Sequence, residues 1–297
     1  MNLRDFYAAV AEQKWLDGIA DALQPAVRGF FDSLGPARRG IQNFLHGTWL
    51  GHPLHPVITD VPIGAWTTTL LLDALDDGEG DGGGRSGLRR AADASLALGL
   101  AGAVGSAVTG LTDWSETDAT PRRVGVAHAL LNSGATLLFA ASLLSRRRGR
   151  RSAGRRLAVT GYLTACAAAY LGGELVSHEQ IGVDHSSGRA MPERFTSVLP
   201  EAELPADKLK KVLFQGTPLL LVRRGGEIYA LAETCAHLGG PLSEGKLDQE
   251  CVVCPWHAST FELATGDVVR GPSAFPQPSL ETRVRNGEIQ VRMKRRG

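Results

Sequence analysis

Cysteine is scarce in this chain. There are four in 297 residues, and Cys235, Cys251 and Cys254 fall in one short span. That usage excludes a disulfide scaffold and points to metal ligation or redox chemistry. Net charge is scarce too. Lys plus Arg number 32 against 31 Asp plus Glu, a formal net charge of +1, so no global field recruits nucleic acid or an acidic partner. The opening stretch, MNLRDFYAAV, carries charge early and lacks a continuous apolar run, so it does not read as a cleavable secretory signal. The mean hydropathy of −0.07 looks soluble. That average hides long apolar blocks between residues 57 and 176, separated by Gly-, Asp- and Arg-rich loops.

Residues 1–45 read as amphipathic helix. Trp15, Leu16, Ile19, Leu23, Val27, Phe30 and Leu34 recur at three- or four-residue steps, and Pro25 and SLGPARRG interrupt or end the helices. Such a face suits packing on its own domain or lying in a membrane interface. Four apolar segments follow, at 57–75, 94–112, 124–144 and 157–176. Each is roughly 20 residues, enough to cross about 30 Å of hydrocarbon as helix. They are rich in Ala, Gly and Thr, and Gly102, Ser106 and Gly110 form a small-residue face suited to close helix packing. A soluble four-helix bundle is the competing reading and would need a polar stripe on each helix. Arg85, Arg89 and Arg90 with the arginines of SRRRGRRSAGRR (145–156) bias one side of the segments, which places those loops in the cytoplasm and both termini outside.

A Pro-, Ser- and acid-rich linker spans 186–205. Beyond it short β runs alternate with turns: PLLLV, EIYALA, CVVC, DVVR, LETRVR and EIQVRM, with RRGGE and RNGE as hairpin signals. The expected architecture is therefore an all-α membrane domain of four transmembrane helices (46–185), preceded by the amphipathic helices (1–45), followed by the linker and an all-β domain (206–297).

The stretch CAHLGGPLSEGKLDQECVVCPWH carries Cys-x-His, sixteen residues, then Cys-x-x-His. Two thiols and two imidazoles suit a structural zinc ion, or a [2Fe–2S] cluster with two thiolates on one iron and two imidazoles on the other. The flanks favour the second. CAHLGGPL and CPWHASTF resemble the two cluster-binding loops of Rieske proteins. The resemblance covers 196–294 and implies an all-β fold of the Rieske iron–sulfur-protein type, with Cys235 and Cys254 on one iron and His237 and His257 on the other. It also implies that Ser259 donates to a bridging sulfide. Quinol-oxidising members carry an extra cysteine in each loop and a tyrosine four residues after the second histidine; here those positions hold Gly240, Trp256 and Phe261. Fewer donors leave more electron density on the cluster, which implies a potential in the lower part of the Rieske range. His257-Ala258 replaces the usual His-Gly and restricts the loop backbone. Cys251 reads as a small core residue.

The front half, 50–185, resembles a bacterial membrane family, domain of unknown function 2231, through GHPLHPVITDVPIG, LTDW, AHALLN and YLGGELVSHEQIGVDH. Its histidines fall at equivalent ends of the segments. His55 and His128, with His52 and His178 as alternates, are candidates for a haem b or another metal, Asp60 being a possible carboxylate ligand; otherwise they cap helices or bond backbone carbonyls. The function expected is a bacterial inner-membrane, multi-pass Rieske protein, with no nucleic-acid partner. It would pass single electrons between a donor or acceptor protein and the membrane domain or a quinone, within lipid, as part of an oxidoreductase system. The alternatives are a ferredoxin for a separate oxygenase, since the chain has no large catalytic domain after His257, and a redox sensor acting through its membrane domain. Arg155-Arg156 ahead of the fourth segment is compatible with twin-arginine export of the Rieske domain, or with an ordinary positive flank.

Overall fold

The structure is a computed structural model that describes residues 3–76 and 83–294. Its helices are α1 (Leu3–Ala11), α2 (Trp15–Ser33), α3 (Arg38–His46), α4 (Leu54–Leu75), α5 (Gly83–Trp114), α6 (Ala119–Arg147) and α7 (Arg151–Ser177). Strands follow: β1 (Thr196–Pro200), β2 (Leu209–Phe214), β3 (Thr217–Arg224), β4 (Glu227–Ala232), β5 (Lys246–Asp248), β6 (Cys251–Val253), β7 (Thr260–Glu262), β8 (Val268–Arg270), β9 (Ser279–Arg285) and β10 (Glu288–Met293). The chain forms two units, Met1–Gly35 with Leu54–Ile181, and Pro36–Pro53 with Gly182–Gly297.

The helical unit is built from two hairpins, α4–α5 and α6–α7, each closely packed within itself and more loosely on the other. The hairpins are repeats. His55, Trp66 and Asp73 are spaced along α4 as His128, Phe139 and Arg146 are along α6, and Gly99, Ser106 and Gly110 along α5 as Gly161, Ala168 and Gly172 along α7. Equivalent residues meet. Trp66 and Phe139 stack with ring centroids 4.0 Å apart, at the centre of a core that includes Leu96 and Ala158. Arg146, fully buried, forms a two-pronged ion pair with Asp73, 2.8 Å on one prong, and reaches Asp93 at 3.3 Å. Arg151 bonds Asp93 at 3.1 Å, and Arg89 and Arg155 both bond Asp76. Four arginines of the sequence's positive bias are thus neutralised by aspartates.

Several sequence expectations change. Among the described residues, only α5, from Gly87, and α6 are long and apolar enough to cross a membrane, so the four expected spanning helices become two. Segments α4 and α7 are long enough, but Asp60, Asp73 and four threonines dilute the first, and Arg155, Arg156, Glu174 and many Ala and Gly the second. Arg85, Arg89 and Arg90 lie within α5 rather than in a loop. Pro25 sits inside α2 without ending it. Along α2, Leu16, Ala20 and Phe31 are buried, and Leu16 and Ala20 pack with Val126 of α6, while Trp15, Leu23 and Phe30 stay exposed. The apolar face of α2 is wider than the surface that α6 offers it.

The second unit is a β structure with a six-stranded sheet, order β1-β10-β9-β4-β3-β2, and a four-stranded sheet, β5-β6-β7-β8. The two foreseen hairpins form, with Gly225 and Gly226, and Asn286 and Gly287, at positive φ as a type I′ turn demands. A third, at Gln215-Gly216, has the same pattern. Leu219, Leu221, Ile289 and Val291 fill one core; Leu220, Val252, Phe261 and Leu263 fill another, beside the candidate cysteines. The boundaries shift as well. β1 pairs with β10, so the expected linker 186–205 is largely part of this unit. Residues 36–53 belong here too, because Asn43 of α3 both accepts from Gly271 N–H at 3.0 Å and donates to Val269 O at 3.1 Å.

Removing Arg146 takes from buried Asp73 its closest counter-charge and leaves the more distant Arg155 at 3.6 Å and Arg151 at 3.7 Å. Arg146→Ala is expected to destabilise the helical unit by about 3–5 kcal/mol, seen as a lower thermal midpoint in detergent. The swapped pair Asp73→Arg with Arg146→Asp is expected to recover part of that loss.

Candidate metal centre

Two short turns of the same kind carry the four candidate ligands. In the first, after β4, Cys235 N–H donates to Gly240 O at 2.8 Å and Gly239 N–H to Cys235 O at 2.9 Å. In the second, between β6 and β7, Cys254 N–H donates to Ser259 O at 2.9 Å and Ala258 N–H to Cys254 O at 3.2 Å. Each turn needs a left-handed residue at the same place: Gly239 at φ +77° and Ala258 at φ +58°. Glycine adopts that conformation freely, and alanine does so at a cost.

The turns bring thiol to thiol and imidazole to imidazole. Cys235 and Cys254 are buried and hydrogen-bond to each other through their side chains. That bond lowers the Cys254 thiol, so this cysteine ionises first, and raises Cys235. His237 and His257 lie with ring centroids 5.0 Å apart. Both Nδ1 atoms are buried, and that of His237 has no hydrogen-bond partner. Burial, then the neighbouring imidazoles His257, His46 and His185, hold His237 well below its ordinary pKa, so it stands ready as a neutral ligand. A buried ring nitrogen left unbonded is costly unless a metal takes it. Among the described residues no group of three or more His, Cys, Asp or Glu converges on one ion, as tetrahedral zinc would require. Two pairs of donors suit a cluster of two irons instead.

Surrounding residues fix the turns. Gln277, fully buried, spans the first: its Oε1 accepts from Ala236 N–H at 3.0 Å and its Nε2 donates to Ala232 O and Thr234 O, each at 2.7 Å. Ser259 Oγ accepts from Ser273 N–H at 3.0 Å, which leaves its own proton free to donate. At Gly240 a Cβ would come within 2.9 Å of Cys254 Sγ and 3.1 Å of the Trp256 ring. The indole thus packs directly against Gly240 across the two turns. Cys251 is half-buried, and burial together with Glu262 and Asp248 pushes its thiol up, away from reactivity. The roles of Gln277 and Asn43 escape sequence reading; the one hint of the first is a polar residue held between prolines in FPQPSL.

Of the candidate membrane histidines, the structure brings His55 and His128 together, with ring centroids 6.4 Å apart. His52 is exposed, and His178 stands edge-on to Tyr7 with centroids 5.2 Å apart. Asp60 is exposed on α4 and joins no metal-binding group among the described residues.

Comparison with known proteins gives two family matches: residues 194–281 to the Rieske [2Fe–2S] domain, and residues 51–185 to a family described as predicted membrane protein (DUF2231). Ferredoxin CarAc of Metapseudomonas resinovorans is 38% identical over 74 residues, covering 25% of this chain and 69% of that protein. The 3-phenylpropionate/cinnamic acid dioxygenase ferredoxin subunit of Escherichia coli (strain K12) is 33% identical over 94 residues, covering 31% of this chain and 87% of its own length. A chain from the complex of reduced oxygenase and oxidized ferredoxin in carbazole 1,9a-dioxygenase aligns over 35% of this chain and 99% of its own, at 30% identity and a TM-score of 0.33.

Gln277→Leu strands one N–H and two carbonyls of the first turn, at about 1–3 kcal/mol for each unpaired group. Iron per chain is expected to fall several-fold, measured by metal analysis of protein whose far-ultraviolet spectrum is unchanged. Ala258→Gly relieves the left-handed alanine and is expected to stabilise this unit by up to about 1 kcal/mol in a thermal melt, with the cluster's absorbance retained.

Proposed function

The chain belongs to the Rieske [2Fe–2S] family, and from that premise we propose that it is a ferredoxin-type one-electron carrier held at a bacterial inner membrane by its helical unit. The observation that carries the redox part is the pairing of two buried thiols and two neighbouring imidazoles on matched turns. Cys235 and Cys254 would hold one iron and His237 and His257 the other. When bound, such a cluster supplies one-electron transfer. Around it, Ser259 offers a proton to hydrogen-bond and Phe261 offers none, which keeps the potential low in the Rieske range. Pro255 and Trp256, both exposed, set a contact surface one residue from His257. A partner that seats there comes close to an iron ligand without any side chain having to move.

Support for the membrane part comes from the helices. Leu71, Leu98, Val104, Leu137 and Leu163 are each more than half exposed, so all four long helices turn large apolar side chains outward. The exposed stripe of Trp15, Leu23 and Phe30 on α2 suits the lipid interface. The arginine-rich α6–α7 connection lies on the cytoplasmic side in this reading, with both termini outside. Electrons would then move between a soluble donor or acceptor and the membrane domain or quinone pool. A second reading is favoured by the relatives' own names: service as the ferredoxin of a separate oxygenase.

Reduced full-length protein in liposomes separates these readings. Reoxidation by a short-chain ubiquinone analogue, at least tenfold faster than by a carbazole-type terminal oxygenase component, is expected. The reverse order makes the chain an oxygenase ferredoxin. No reoxidation by either partner leaves a sensing role. Voltammetry of the same sample is expected to find a potential in the lower part of the range of about −150 to +300 mV, and a value at its upper end overturns the donor-poor picture of the cluster.

A further inference from the structure

The paired histidines of the helical unit are built alike. His55 Nδ1–H donates to Ser106 O at 2.9 Å, with Thr109 Oγ1 at 3.3 Å. His128 Nδ1–H donates to Ala168 O at 2.8 Å. Ser106 and Ala168 are equivalent positions of the two repeats, as His55 and His128 are. So are Gly110 and Gly172, where an added Cβ would lie 2.7 Å from His55 Cε1 and 2.9 Å from His128 Cε1. Each ring is therefore clamped between a carbonyl and a glycine of its partner helix. A ring whose Nδ1–H is spent on a carbonyl keeps its lone pair on Nε2, the arrangement in which histidine binds metals.

The spacing fits one metal between two rings. A metal–nitrogen bond of about 2.0 Å, added to roughly 1.1 Å from a ring nitrogen to its centroid, puts two trans imidazoles about 6.2 Å apart, centroid to centroid. The rings here are 6.4 Å apart, with planes at 82°. Two ligands are too few for a bare zinc, iron or calcium ion, and no third His, Cys, Asp or Glu joins them among the described residues. A haem brings four nitrogens of its own and asks the protein for two axial ones. The ring pair lies in the loosely packed seam between the hairpins, bordered by Gly105, Ser106, Thr109 and Gly110 on one side and Ala168 and Gly172 on the other. Asn132 donates to His128 Nε2 at 3.1 Å and to His128 O at 3.0 Å. A metal would replace the first bond, and the second keeps the amide satisfied.

We propose that His55 and His128 are the two axial ligands of one b-type haem held between the repeated hairpins. The site adds a second one-electron centre to the function proposed above and rests on different residues, so the two readings fail separately.

Haemin titrated into the full-length protein, purified in detergent with its cluster in place, tests this. The expected result is saturation at one haem per chain with a six-coordinate low-spin spectrum. His55→Gly and His128→Gly are each expected to weaken haemin binding at least tenfold and to lose the low-spin bands, and added imidazole is expected to restore them. His52→Ala and His178→Ala are expected to change nothing. Gly172→Ala, which drives a methyl group into the His128 ring without removing a ligand, is expected to shift the bands. The proposal is overturned by failure to saturate at one per chain, by low-spin bands that survive in both glycine variants, by imidazole failing to restore them, or by an unshifted Gly172→Ala spectrum. Binding of copper(I) in place of haemin overturns it as well. The paramagnetic signal of the reduced Rieske cluster is recorded in every sample. Its absence from the unaltered protein removes the function proposed above and leaves the haem result to stand by itself.

Discussion

Two turns have to hold two buried thiols and two half-buried imidazoles side by side, with each side chain fixed in place. Everything else in the β unit serves that constraint. Buried backbone groups next to the ligands must be bonded to something, and the turns are too short to bond them all internally. The Gln277 amide supplies three of those bonds from across the fold, and Ser273 and Ser259 tie a third loop, residues 271–278 between β8 and β9, to the second turn. Gly240 is forced by the closeness of Cys254 and Trp256, and left-handed geometry falls on Gly239 and Ala258 because each turn closes on its own cysteine. The α3 segment extends the same scheme, since Asn43 bonds the backbone at Val269 and Gly271, where the third loop leaves β8.

The helical unit answers a different constraint. Two similar hairpins must associate without matching like charge to like charge. The repeats solve this by placing opposite charges at equivalent positions: Asp73 pairs with its equivalent Arg146, while Asp93 pairs with Arg146 and Arg151, and Arg155 with Asp76. The ion pairs are buried or half-buried, where breaking one leaves a charge with nothing to balance it. Such pairs specify which hairpin faces which better than they stabilise the bundle, and the Trp66–Phe139 stack supplies the apolar contact.

How much of this was legible depended on range. The candidate ligands Cys235, His237, Cys254 and His257 could be picked out because spacing and flanking residues are local, and EIYALA and EIQVRM are strands β4 and β10 residue for residue. Gln277 was not legible, because its partners lie some forty positions away in sequence and a lone glutamine carries no local signal. The docking of 36–53 onto the β unit was hidden for the same reason, because residues 1–45 read as one group of amphipathic helices. Hydrophobic length overcounted the spanning helices, since Ala-, Gly- and Thr-rich segments are long enough but only weakly apolar. The hairpin repeat was present in the sequence all along, carried by few identical residues: Trp66 aligns with Phe139, and Asp73 with Arg146.

The two histidine pairs show how one side chain serves two sites by exchanging its nitrogens. In the β unit both Nδ1 atoms are buried at the ligand positions. In the helical unit both Nδ1–H groups are spent on carbonyls, and His128 Nε2 accepts a hydrogen bond, so the ring is neutral with its lone pair on the other nitrogen. The cause is what lies behind each ring. At His237 a short turn leaves the near nitrogen without a hydrogen bond, whereas a ring wedged beside a glycine of a neighbouring helix has a carbonyl within reach of that nitrogen and donates to it. A pair that only tied helices together would need no second ring 6.4 Å from the first. Equivalent clamps in both repeats, ending at that separation, are what a shared ligand between the hairpins requires.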